Sequence, residues 1–232
     1  MFYGLNSGWL LLMIVSTVIG LATQGYINST FRKWSRVPLE SGKSGAQVAR
    51  EILDSNGLTN VGIQTIGGQL TDNYDPRSKV LSLSQPVYGT ASVSAAGVAA
   101  HESGHAIQDA KGYVWGAVRS SLVPVASFGS NAAWVLIFIG LFLRAAGSFG
   151  QTLMLLGILL YAAAVLFQLV TLPVEFDASR RAVVALQATG QYSAEQLTGV
   201  RQVLTAAGLT YVAGALIAIL QLLYLIGLSR RN

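Results

Sequence analysis

The stretch TLMLLGILLYAAAVLFQLVTL, Thr152 to Leu172, contains no Asp, Glu, Lys, Arg or His. A bilayer core about 30 Å thick takes about 20 mostly apolar residues in a helix, because lipid offers no partner to backbone N–H and C=O groups. The run meets that length and predicts a membrane span. Three more stretches do so without a charged side chain: Trp9 to Ile27, Leu122 to Leu143 and Leu209 to Leu228. Composition agrees. Of 232 residues, 52% are hydrophobic and 11% charged, against about 25% charged in ordinary soluble domains. A soluble enzyme does not fit, and neither does disorder, which needs few apolar residues and high net charge. The chain has no cysteine, which excludes disulfides, thiolate metal sites and a cysteine nucleophile. Any metal must be held by nitrogen and oxygen.

The first span reads as a retained anchor. A cleaved signal peptide opens on basic residues and has a shorter apolar run, whereas Met1 to Gly8 is uncharged and Arg32, Lys33 and Arg36 follow the run. With its N-terminus outside, the inner segments are Asn28 to Ser121 and Pro173 to Thr210. These hold 12 of the 15 basic residues and all ten acidic ones, leaving Arg144, Arg230 and Arg231 outside. The positive-inside bias supports that orientation. The net charge of +5 therefore reports topology, and no nucleic-acid partner is expected. In the second span, Pro124, Gly129, Ser130, Asn131 and Gly140 interrupt the apolar pattern and are expected to serve helix packing.

Between spans, Ser44 to Asn56 has apolar residues at Ala46, Val48, Ala49, Ile52 and Leu53, and Asn56-Gly57 ends the helix this pattern predicts. Val61 to Ile66 and Val80 to Leu83 are short β-like runs, separated by Gly67-Gly68 and the turn-rich Asp72 to Pro76, and predict a hairpin. The Ala, Ser, Gly and Val residues from Ala91 predict a slender helix to about Ala110. Glu175 to Ala188 reads as another helix. A last one starts at Ser193, where Ser-x-x-Gln forms a capping box with Gln196.

The only two histidines are His101 and His105, in His101-Glu102-Ser103-Gly104-His105. Residues four apart share one helix face with Cβ atoms about 5–6 Å apart, so both imidazoles reach one ion, and Glu102 between them is placed to take a proton from water. This is the zincin motif. A catalytic zinc takes three protein ligands and leaves a fourth position for water. With no third histidine, a carboxylate must complete the set. Gln108 and Lys111 stand where the metzincin pattern requires Gly and His, which excludes that subclass. Asp109 lies a further turn along the same helix, too far to share the ion, and is better placed as a hydrogen-bond partner of the ligands. Glu195 starts an exposed helix, where the dipole favours a carboxylate anyway. Glu175 is the leading candidate, with Asp177 second. Gly104 costs about 1 kcal/mol relative to alanine in a helix, which close approach of a neighbouring backbone would offset.

Three segments together resemble a known family: Leu70 to Arg77 (LTDNYDPR), Ala99 to Gln108 (AAHESGHAIQ) and Glu175 to Ala182 (EFDASRRA). They look like the neutral zinc metallopeptidases of multi-pass bacterial membranes, the YugP-like proteins, and the resemblance covers nearly the whole chain. The layout is more distantly similar to the HtpX heat-shock proteins and the CAAX prenyl proteases, whose third ligand is the Glu of a Glu-x-x-x-Asp segment. The matching residue is Glu175. The later Asp is replaced by Ser179, so Asp177 or Asp109 becomes the expected outer partner of the ligands.

The resemblance implies a gluzincin-type metalloendopeptidase: zinc, one ion per chain, held by His101, His105 and Glu175, with Glu102 as the base. The oxyanion donor is sought among Arg180, Arg181, Asn73, Tyr74 and Tyr211. The Val80 to Leu83 strand is a candidate to pair with an extended substrate. The expected fold is mostly α and multi-pass, with about four transmembrane helices and a small zincin-like α+β catalytic portion on the cytoplasmic side. Its parts are an anchor over 1–27, the zincin-like portion over 28–121, a transmembrane hairpin over 122–172, the third-ligand segment over 173–208 and a C-terminal transmembrane helix over 209–232. The expected partners are the lipid bilayer and a peptide or protein substrate, in a prokaryotic plasma membrane. The alternatives are an intramembrane site-2-like protease, against which the weakly apolar Ala91 to His105 argues, and a non-enzymatic metal-binding membrane protein, which would carry ionisable residues in its spans.

Overall fold

The computed structural model describes residues 7–143 and 147–230. Arg144 and Arg231, two of the three basic residues expected outside, lie beyond the described residues, as do the first six residues of the uncharged N-terminal stretch. The described chain is mostly helical. In order it comprises α1 (Ser7–Ser35), α2 (Gly45–Ser55), β1 (Gly62–Ile66), β2 (Asn73–Asp75), β3 (Val80–Ser84), α3 (Gln85–Tyr88), α4 (Val93–Ala110), α5 (Val114–Phe142), α6 (Ser148–Ala188) and α7 (Ala194–Arg230). Helices α1, α5, α6 and α7 are long and apolar enough to cross a membrane. Contacts divide the chain into two units, one of residues 1–23, 118–172 and 210–232, the other of residues 24–117 and 173–209.

The first unit is built from the apolar runs. Ala133 and Ile137 of α5, Met154, Ile158, Tyr161 and Val165 of α6 and Leu225 of α7 form its buried cluster. Trp134 stacks near Trp9 and Tyr161, with centroids 6.3 and 5.5 Å apart. A Cβ on Gly140 would stand 2.7 Å from Gly150 O, and one on Gly157 would stand 2.8 Å from Ala133 O. Small residues thus let the backbones of α5 and α6 touch, as expected for Gly140. Asn131 departs from its packing role: it is exposed and bonds Ser127 O in its own helix. Large apolar side chains such as Leu10, Leu21, Phe128, Phe138 and Leu159 point outward. In water such a surface would be a liability; in a bilayer it is the solvated face.

The second unit surrounds α4. Ser92 caps that helix by accepting from Ala95 N–H, and its end follows the Schellman pattern: Gly112 (φ +61°) donates to Asp109 O and Tyr113 to Gln108 O. Val48, Ala49, Ile52 and Leu53 of α2, Leu81 and Leu83 of β3, Ala182 and Leu186 of α6 and Val200 and Val203 of α7 pack in one core with the alanines of α4. The predicted cap of Ser193 with Gln196 forms, and a second capping box, Ser44 with Gln47, starts α2.

The predicted hairpin is corrected. Strand β3 lies between the others, parallel to β1 and antiparallel to β2. The turn-rich Asp72 to Pro76 itself contains β2, and the reversal comes just after it, where Asp75 accepts from Arg77 N–H and from Ser78. The physical reason is burial: Leu81, Ser82, Leu83 and Ser84 are all buried, so both faces of β3 are covered and a central position satisfies both of its edges. Occupied edges also remove β3 as a strand for a substrate to join. A second correction concerns α6, which continues from the third span through Pro173 to Ala188 as one helix. Losing one helical hydrogen bond at a proline costs about 3 kcal/mol, and burial of Val174 and Ala178 immediately beyond it holds the helix together.

Candidate metal centre

Helix α4 presents His101 and His105 on one face, with ring centroids 4.8 Å apart. The neighbouring turn of α6 brings in Glu175, which is 2% exposed. Glu175 Oε2 lies 3.2 Å from His101 Nε2 and 3.6 Å from His105 Nε2. Two donors about 2.0–2.1 Å from one tetrahedral zinc lie about 3.3 Å from each other, and the observed distances bracket that value. Among the described residues, His101, His105 and Glu175 form a group whose ligand atoms lie within 4.8 Å of one another. The donor set of two imidazole nitrogens and a carboxylate oxygen fits zinc. Burial alone would raise the Glu175 carboxyl, but hydrogen bonds and charge from His101 and His105 prevail and hold it well below the usual carboxylate range. It is therefore an anion facing two rings.

The approach of the two helices rests on Gly104. A Cβ there would stand 2.5 Å from Ala178 O, so no larger residue lets α6 come this near. The predicted return on an unfavourable helical glycine is present between the histidines and opposite the turn that carries Glu175.

Glu102 lies on α4 between the histidines and is 7% exposed. The outer partners differ from those expected. Ser179 Oγ lies 3.1 Å from His101 Nδ1, taking the place that the missing Asp would hold. Gln108 Oε1 lies 3.0 Å from His105 Nδ1, while its Nε2 donates to Val174 O and to Asp177. Asp177 is thus linked to His105 through Gln108. Asp109 turns elsewhere, accepting from the Tyr74 hydroxyl at 2.7 Å and from Lys79. Gln108 was legible only as a polar residue one turn beyond His105, and Ser179 as one turn beyond Glu175; neither type alone marks a site.

The oxyanion candidates do not share a single partner. Arg180 and Arg181 both pair with Asp177. Tyr74 is bound to Asp109, and burial followed by that bond raises its phenol, keeping it a donor. Asn73 is exposed and donates to Thr71 O. Tyr211 belongs to the first unit.

A helical chain with four candidate spans, and with two histidines and a glutamate clustered on adjoining helices, has the outline of a membrane metallopeptidase. The family model described as "Putative neutral zinc metallopeptidase" matches residues 9–230, and the chain belongs to that family. It is similar to "Putative membrane protease YugP" of Bacillus subtilis (strain 168), with 43% identity over 216 residues, which cover 92% of this chain and 94% of that protein. No solved structure matches.

Proposed function

We propose that this chain is a membrane-anchored zinc metalloendopeptidase of the gluzincin type, holding one ion through His101, His105 and Glu175. The observation that carries the reading is the convergence of two Nε2 atoms from one helix with a buried carboxylate 70 or more positions further along the chain. Zinc, when bound, supplies Lewis acidity toward the scissile carbonyl and lowers the pKa of a water toward 7. Glu102 accepts the proton of the attacking water and passes it to the leaving amine. Its near-complete burial limits competition from bulk solvent for that proton. The substrate is a peptide or protein that reaches the second unit from the aqueous side. In support, α4 is not among the helices apolar enough to cross a bilayer, and all three ligands belong to the second unit. The excess of basic residues in 28–121 and 173–210 favours the cytoplasmic face of a prokaryotic plasma membrane.

The test is Glu102→Gln in the detergent-solubilised full chain. Zinc content is expected to stay at the wild-type level while cleavage of a peptide library falls by about 10²–10⁴-fold. Cleavage at the wild-type rate would remove Glu102 from the mechanism.

A further inference from the structure

We infer that Gln108 is a positioning residue, which together with Ser179 locks the two histidines in the orientation that aims both Nε2 atoms at Glu175. The inference rests on the metal reading of the site, but it concerns this chain's own hydrogen bonds.

The orientation of the Gln108 amide is forced. Its nitrogen lies 2.8 Å from Val174 O and 2.9 Å from Asp177 Oδ2, two acceptors with no hydrogen of their own. Turning the amide over would put its oxygen against a carbonyl and a carboxylate oxygen, which repel it, and would lose both hydrogen bonds that its nitrogen donates. Gln108 is 3% exposed, so water cannot relieve that mismatch. Its oxygen must therefore face His105, and a carbonyl oxygen 3.0 Å from Nδ1 accepts only if Nδ1 carries the proton. A neutral imidazole protonated on Nδ1 has its lone pair on Nε2, the atom turned toward Glu175.

The Asp177 carboxylate that fixes the amide is itself held, by Arg181 at 2.5 Å and by Arg180. The chain of bonds thus runs from two arginines through Asp177 and Gln108 to His105. Ser179 Oγ, 3.1 Å from His101 Nδ1, fixes the direction of that ring, while a hydroxyl, which donates or accepts, leaves its tautomer unset. Every anchor outside α4 comes from residues 174–181 of α6, the segment that also carries Glu175. One stretch of helix therefore supplies the third ligand and orients the other two, so a shift of α6 would disturb all three together. Outer partners of metal-bound histidines typically contribute 10–100-fold in metal affinity.

The experiment uses the full chain in lipid bilayers with 15N-labelled histidine, which gives just two rings to observe, His101 and His105. Metal-free wild type at pH 9 is expected to show His105 protonated on Nδ1 and hydrogen-bonded there, read by solid-state NMR. In Gln108→Leu that signature is expected to give way to a tautomer mixture, while the His101 resonances stay in place. In Ser179→Ala the disturbance is expected at His101. Zinc affinity, by chelator competition, is expected to drop about 10–100-fold in Gln108→Leu. A residue that merely stapled α4 to α6 would lower the melting temperature and leave the His105 tautomer alone. A wild-type His105 with no proton on Nδ1, or a Gln108→Leu chain with the wild-type Nδ1 signature or zinc affinity, overturns the inference. Should Gln108→Leu fail to accumulate, the wild-type spectrum decides alone. A wild-type chain that binds no zinc would sink the metal reading instead, with the tautomer assignment still measured.

Discussion

At the scale of single residues, the site depends on a buried anion kept in place by two rings. Glu175 combines near-complete burial with two imidazole neighbours, and an unpaired carboxylate there would be costly to bury. In the proposed zinc site, Glu175→Ala removes one of three ligands. Its zinc affinity is expected to fall by more than the roughly 10–100-fold typical of losing an outer partner. Metal analysis of purified protein checks this, and wild-type occupancy would rule out Glu175 as a ligand. Asp177 is the second candidate by sequence. Its carboxylate takes Gln108 and two arginines and does not join the His101, His105 and Glu175 group. From the sequence these two acids are near neighbours on one helix. About 200° of helical rotation separates positions two apart, which sends one to the rings and the other to the arginines.

At the scale of elements, the crossing of α4 and α6 decides whether the ligands meet. Gly104→Ala tests it, and two effects compete. Alanine gains about 1 kcal/mol of helix propensity over glycine. The added methyl would stand 2.5 Å from the backbone oxygen of Ala178, which retreats only if the helix moves, and overpacking of this kind costs about 1–3 kcal/mol. The clash is expected to win. Gly104→Ala should melt lower and bind zinc more weakly than wild type, measured by thermal unfolding and chelator competition. Equal stability and affinity would show that the crossing has slack. The sheet gives a contrasting case. Its β runs and turn residues are recognisable in the sequence, but strand order is not, because alternation reports which faces are buried and is silent on which neighbour fills each edge. Burial of four consecutive residues in β3 is a tertiary fact.

At the scale of the whole molecule, orientation is the open quantity, and the cysteine-free sequence makes it measurable. Thr59 is exposed in the second unit. With that unit on the cytoplasmic face, a membrane-impermeant maleimide is expected to label Thr59→Cys in inside-out vesicles and not in intact cells. Labelling in intact cells would reverse the proposed topology. The four apolar runs were legible from sequence because the bilayer imposes a length and a polarity that any window of about 20 residues reveals. His101 and His105 were legible because helical spacing alone puts residues four apart on one face, and Glu102 because it stands between them in the motif. Glu175 could be named as the leading candidate, since few acids were available. What only the tertiary structure decided is everything that depends on a partner far along the chain: the order of the three strands, the contact of Ser179 with His101, the bonds of Gln108 to Val174 and Asp177, and the engagement of Asp109 by Tyr74 and Lys79. Local periodicity fixes which way a side chain leaves its own helix. Which atom it meets there is set by packing between segments far apart in the chain, and no spacing rule carries that information.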